Sequence, residues 1–143
     1  MRKYLLLLFA VAFLSSCSDD DYNNSNKYLP NYGFSINIDM NLPSYTPLIY
    51  TGNPVYIGQA GIGIRGIIVM NTGAGYAAYE ASCPNQELSS CSTLDLNGIN
   101  AVCPCDDVEY SLFTGLANNA DVQYPLKPYR VEIISENVIR VYN

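Results

Sequence analysis

The residues of this chain best suited to chemistry are cysteines in two short boxes, Cys83-Pro84-Asn85 and Cys103-Pro104-Cys105-Asp106, with Cys91 between them. Thiolates grouped in this way serve soft metals and iron–sulfur clusters, or join one another as disulfides. Histidine is absent from the whole sequence. That excludes a histidine general base, a serine–histidine triad and histidine-ligated zinc. Asp106, Asp107 and Glu109 form an acidic patch beside the second box, but they lack the ligand ladder of a calcium loop and read as a solvated tip. Glu87, Glu109 and Asp106 have no spacing that marks an acid–base pair. No enzymatic activity is expected from these residues.

The elements that must hold the boxes read as strands and turns. Ser35 to Met40 alternates with period two, as a half-buried strand does. Tyr45 to Tyr50 and Val55 to Ile57 are short β-rich runs separated by Pro47, Gly52 and Pro54. Ile62 to Met70 is a longer β-branched run, followed by the turn cluster Asn71-Thr72-Gly73-Ala74-Gly75 and a strand from Tyr76 to Ala81. Ile99 to Val102 leads into the second box and Tyr110 to Phe113 leaves it. Tyr129 to Ile134 and Val138 to Tyr142 make a last hairpin. No window carries an apolar repeat at helical spacing, and thirteen tyrosines suit sheets. The expected class is all-β, a small sandwich or barrel of antiparallel sheets. Gly58-Gln59-Ala60-Gly61-Ile62-Gly63 has the wrong spacing for a dinucleotide loop and reads as a turn entering a strand.

The start of the chain is a targeting segment. Arg2 and Lys3 precede a short apolar stretch, Tyr4 to Leu14, which is too short to span a bilayer. Leu14-Ser15-Ser16-Cys17 resembles the lipobox of bacterial lipoproteins. That resemblance implies cleavage after Ser16 and a diacylglycerol on Cys17. Ser18-Asp19-Asp20-Asp21 resembles the acidic export signals of some surface lipoproteins. Of seven basic residues, Arg2 and Lys3 leave with the signal, so five face thirteen acidic ones. Such a balance argues against nucleic acid and against a polybasic grip on lipid heads. The expected organisation is a signal peptide over 1–16, a lipidated Cys17 with a disordered acidic tether over 17–33, and a β domain over 34–143. Ser18 to Lys27 cannot bury enough apolar surface to offset chain entropy, and ten such residues reach about 17 Å as a coil.

With Cys17 set aside, Cys83, Cys91, Cys103 and Cys105 remain, an even number in an exported chain. Three pairings are open. A Cys103–Cys105 bridge closes a very tight ring at Pro104 and is least favoured. Both others tie the Cys83 loop to the Cys103 loop.

The two boxes, separated by seventeen residues, resemble the ligand boxes of Rieske iron–sulfur proteins, Cys-x-His and Cys-x-x-His. The resemblance continues downstream. Asp107-Val108-Glu109-Tyr110 and Ser111-Leu112-Phe113-Thr114-Gly115 stand where that family has Gly-Ser-x-Phe and a strand ending in Thr-Gly. Pro125-Leu126 with Tyr129-Arg130-Val131 resembles its closing strand. This implies a Rieske-type fold, with a two-loop cluster-binding subdomain inserted in a β-sandwich base. It also makes Cys83, Asn85, Cys103 and Asp106 the former cluster-ligand positions. A Rieske centre needs two thiolates and two imidazoles. Here an amide and a hard carboxylate hold the imidazole positions, so no cofactor is expected; the alternative is a 2Fe-2S cluster with atypical ligands. The family often bridges its two loops with extra cysteines, which implies Cys91–Cys105 here. Cys83–Cys103 then forms in place of the cluster.

The function expected from these readings is a lipid-anchored module of the outer membrane, displayed at the surface or beneath it. Its membrane contact is the N-terminal lipid, its protein or glycan partner is unspecified, and its role is binding or structural. An electron-transfer protein is the first alternative. A glycan-binding lipoprotein using Tyr28, Tyr32, Tyr45, Tyr50 and Tyr56 is the second.

Overall fold

The computed structural model describes residues 25–143, which form an all-β domain. The strands are β1 (Ser35–Asp39), β2 (Pro54–Ile57), β3 (Ile67–Asn71), β4 (Tyr76–Glu80), β5 (Asp95–Asn97), β6 (Asn100–Val102), β7 (Glu109–Ser111), β8 (Pro128–Ser135) and β9 (Val138–Tyr142). Six build one antiparallel sheet in the order β1-β9-β8-β4-β3-β2. The other three, β5-β6-β7, form a small sheet inserted in the chain between β4 and β8, which are themselves neighbours in the large sheet. Among the described residues no helix is long and apolar enough to cross a membrane.

The β3–β4 hairpin is the wall between two cores. In β3, Ile67, Ile68, Val69 and Met70 are all buried. Because side chains alternate across a strand, Ile67 and Val69 face one way and Ile68 and Met70 the other. The first pair packs with Ile38, Met40, Leu48 and Ile139. The second packs with Tyr79, Leu94, Tyr110 and Leu112, joining the small sheet to the large one. A strand buried on both faces loses its polar alternation, which is why it reads as a continuous apolar run.

Three stretches differ from the sequence expectation. The run from Tyr45 to Tyr50 contains a 3-10 helix, Thr46–Ile49, and no strand. Pro47 has no N–H to give to a ladder and its fixed φ suits a tight turn. Leu48 then drops into the core while the Leu48 and Tyr50 amides bond back to Tyr45 and Pro47. The run from Ile62 becomes a strand only at Ile67, because Gly63 and Gly66 lie at positive φ and turn the chain first. Gly58 to Gly63 is accordingly a loop leading to that strand. Strand β5 has no counterpart in the sequence expectation: three residues, all exposed, are too few to set a pattern.

The folded unit also begins before the expected boundary at residue 34. Leu29 is buried, and its amide closes a turn on the Asn26 carbonyl. The Lys127 ammonium donates to the Leu29 carbonyl at 3.2 Å and to Asn31 Oδ1. The Asn143 side-chain amide donates to the Tyr32 carbonyl at 2.8 Å. Residues 25–33 therefore carry fixed contacts, contrary to a free tether. The expected signal peptide over 1–16, Cys17 and the tether up to residue 24 lie outside the described residues.

Candidate functional site

Strand β4 delivers the first cysteine box, and its last residue anchors the approach. Glu80 is fully buried. Its carboxylate accepts five hydrogen bonds, from the amides of Ile64, Arg65 and Ser82, the Ser82 hydroxyl and the Tyr129 hydroxyl. A buried carboxylate is tolerable when its lone pairs are met in this way. The Gly63 turn is shaped around it: a Cβ at Gly63 would lie 2.5 Å from the Gly66 carbonyl oxygen and 2.8 Å from Glu80 Oε2, at φ +63. Burial, and then the neighbouring Glu80 charge, push the Tyr129 phenol far above its ordinary range. Burial pushes the Lys127 ammonium down, and Glu80 partly offsets it.

Beyond Glu80 the chain forms two loops that close on each other. The Cys83 amide donates to the Ser92 carbonyl and the Leu94 amide to the Ala81 carbonyl, fastening the base of the first loop. In the second loop the Cys103 amide donates to the Val108 carbonyl and the Asp107 amide to the Cys103 carbonyl. Asp107 sits at φ 58, the left-handed region that an aspartate tolerates better than most residues.

Two disulfides staple the loops, Cys83–Cys103 with Cα atoms 5.6 Å apart and Cys91–Cys105 with Cα atoms 5.3 Å apart. The first is buried in the core under the small sheet. The second lies toward solvent, with Cys91 exposed and Cys105 half-buried. The Sγ atoms of Cys83, Cys103 and Cys105 all lie within 4.8 Å of one another.

The Asn85 side-chain amide is fully engaged. Its Nδ2 donates to the Tyr110 hydroxyl at 3.0 Å and to the Tyr124 carbonyl at 2.7 Å, and its Oδ1 accepts from the Tyr124 amide at 2.9 Å. Tyr110 is fully buried, and burial pushes its phenol up while the Asn85 bond holds it back. Asp106 is exposed, and its Oδ1 accepts from the Val108 amide at 3.1 Å, capping its own turn. The four cysteines thus converge, whereas Asn85 and Asp106 are occupied elsewhere.

The other sequence candidates have local roles. Glu109 accepts from Asn100 Nδ2 at 2.7 Å, and Glu87 is exposed. Among the tyrosines, Tyr56 donates to the Arg65 carbonyl, Tyr28 stacks edge-on with Tyr124, and Tyr45 packs against the core of the large sheet. Tyr32 and Tyr50 are exposed. Sequence reasoning missed Tyr110, Tyr124 and Glu80. Only Glu80 left a signal, since alternation in β4 places it on the same face as Ala78.

Residues 1–18 match the family model described as "Prokaryotic membrane lipoprotein lipid attachment site". The chain carries a lipoprotein attachment site. That match supports a lipid anchor at the cell envelope. A search of curated proteins finds no match. Among solved structures, the chain is similar to one from the complex of reduced oxygenase and oxidized ferredoxin in carbazole 1,9a-dioxygenase, at 23% identity and TM-score 0.46, covering 64% of this chain and 82% of that one. It is also similar to the Sphingomonas yanoikuyae B1 ferredoxin, at 20% identity and TM-score 0.45, covering 66% of this chain and 88% of that one. A third is the ferredoxin of carbazole 1,9a-dioxygenase from Nocardioides aromaticivorans IC177, at 18% identity and TM-score 0.42, covering 64% and 86%.

Proposed function

We propose that the protein is a Rieske-like module held to the outer membrane by a lipid on Cys17, in which disulfides have taken the place of the iron–sulfur cluster. Its role in this reading is binding or structural. The observation that carries it is the bond between Cys83 and Cys103 beside an Asn85 amide whose donors and acceptor are all in use. A Rieske centre takes two thiolates and two imidazoles. The chain has no histidine, its two matching sulfurs are joined to each other, and the Asp106 carboxylate is exposed and caps its own turn. These residues do not fit that donor set. The loops of residues 83–91 and 103–110, held on a rigid β base, are the surface proposed for partner contact, with Leu88 exposed on the first.

Electron transfer through a thiolate-only cluster is a second reading, and one observation favours it: three sulfurs from the two boxes lie within 4.8 Å of one another. One measurement separates the two. Protein isolated without air from its native host is assayed for iron, acid-labile sulfide and visible absorption. The proposed reading expects none in stoichiometric amount, together with both disulfides in a non-reducing peptide map. A stoichiometric iron–sulfide chromophore overturns it in favour of the second.

A further inference from the structure

The two disulfides differ in access and yet lie side by side. Cys83 and Cys103 are 1% and 0% exposed, so no external thiol reaches their sulfurs in the folded chain. Cys91 is exposed and open to attack. Its partner Cys105 has its Sγ within 4.8 Å of both inner sulfurs. The Ser89 hydroxyl lies 3.4 Å from Cys91 Sγ and 3.7 Å from Cys105 Sγ, placed to donate to either sulfur once it carries charge.

We propose that the pair is a two-stage thiol–disulfide relay, in which an external dithiol opens Cys91–Cys105 and the freed Cys105 carries the exchange inward to Cys83–Cys103. In the first stage a thiolate of the dithiol attacks Cys91 Sγ. The Cys91–Cys105 bond breaks, Cys105 leaves as a thiolate, and the dithiol is briefly bonded to Cys91. The second thiol of the reagent attacks its own sulfur in that mixed disulfide and releases Cys91. The dithiol is oxidised to its disulfide, and the outer bridge has gained two electrons and two protons. In the second stage the Cys105 thiolate attacks Cys83 Sγ. A Cys83–Cys105 bond forms, the Cys83–Cys103 bond breaks, and Cys103 leaves as a thiolate that takes a proton from water. This step moves no net electrons. Attack on Cys103 instead closes the cramped ring through Pro104. A second equivalent of dithiol then reduces Cys83–Cys105, leaving four thiols. The partner class implied is a dithiol oxidoreductase, since the returning second thiol completes the first stage.

The test uses the full chain with dithiothreitol as the dithiol. Cys91→Ser and Cys105→Ser each abolish the outer bridge and differ only in which thiol remains. Samples are quenched by acid, alkylated and mapped by mass spectrometry for the inner bridge. Proximity of an internal thiolate predicts that Cys91→Ser loses Cys83–Cys103 about tenfold faster or more than Cys105→Ser, and shows a Cys83–Cys105 link. Equal rates overturn the relay, because opening of the buried bridge by transient unfolding treats both variants alike. The unaltered chain gives an independent arm. Brief exposure to limiting dithiothreitol is expected to remove Cys91–Cys105 first and then yield Cys83–Cys105. Loss of the inner bridge with no such species also overturns it.

Discussion

The side chain of Asn85 exchanges two hydrogen bonds with the backbone of Tyr124, 39 positions further along the chain. This amide-to-backbone pairing mimics one step of a β ladder, and it binds the first cysteine loop to the segment returning toward β8. The third bond, to Tyr110, ties the same amide to the core beneath the loops. A residue at a former ligand position of the sequence reading is thereby a clasp.

Asn85→Ala leaves the Tyr124 amide and carbonyl and the Tyr110 hydroxyl without these partners. A stability loss of about 2–3 kcal/mol is expected from such unsatisfied groups. Asn85→Asp should behave similarly, because a carboxylate cannot donate to Tyr110 or to the Tyr124 carbonyl. Urea denaturation checks both, and a midpoint equal to that of the unaltered chain refutes the clasp.

Glu80→Gln keeps the shape of the buried side chain but points amide hydrogens at groups that themselves donate. The expected loss is about 3 kcal/mol, with the Gly63 turn loosened first. Hydrogen exchange at the Ile64 and Arg65 amides reports that loosening. Exchange unchanged from the unaltered chain would mean that the turn holds without Glu80.

Stability should depend on alkaline pH through groups of opposite sign. Tyr110 and Tyr129 keep their protons to higher pH in the fold than a free tyrosine, whose phenol titrates at 10.0. Their contribution is complete below that pH and is lost as pH rises above it, because the unfolded chain releases protons that the fold retains. Lys127 titrates in the fold below the 10.5 of a free lysine, so between the two it makes stability rise with pH. Urea midpoints measured from pH 9 to about 11 should therefore fall less steeply in Tyr129→Phe and more steeply in Lys127→Met. Parallel curves for all three chains contradict this assignment.

Lys127→Ala should release the segment before β1, since the ammonium holds both Leu29 and Asn31. Amide exchange at Leu29 is expected to speed by about tenfold or more while strands β3 and β4 keep their protection. A Leu29 amide that stays protected would show that burial of its side chain is sufficient.

Much of this architecture was legible because alternation and turn residues speak locally. Ser35 to Met40, Tyr76 to Ala81 and the closing hairpin all fall close to where period two places them. The even number of exported cysteines pointed to the stapled loops. Less was legible where an element depends on distant partners. The 3-10 helix at Thr46–Ile49 forms because Leu48 finds a core that β1 and β9 complete, and a β-rich window cannot show that. Residues 25–33 read as tether, and partners far along the chain, Pro84, Lys127 and Asn143, turn them into structure. The Asn85 clasp is silent for the same reason: the sequence marks Asn85 as a former ligand position, and its partners lie far downstream.

The Asn26 side chain donates to the carbonyl of Pro84 at 2.8 Å, immediately beside Cys83. The chain thus leaves the domain at its cysteine end. Cys17 lies nine residues before Asn26, a span of at most about 30 Å. A lipid on Cys17, as proposed, would therefore tether the domain from beside its stapled loops.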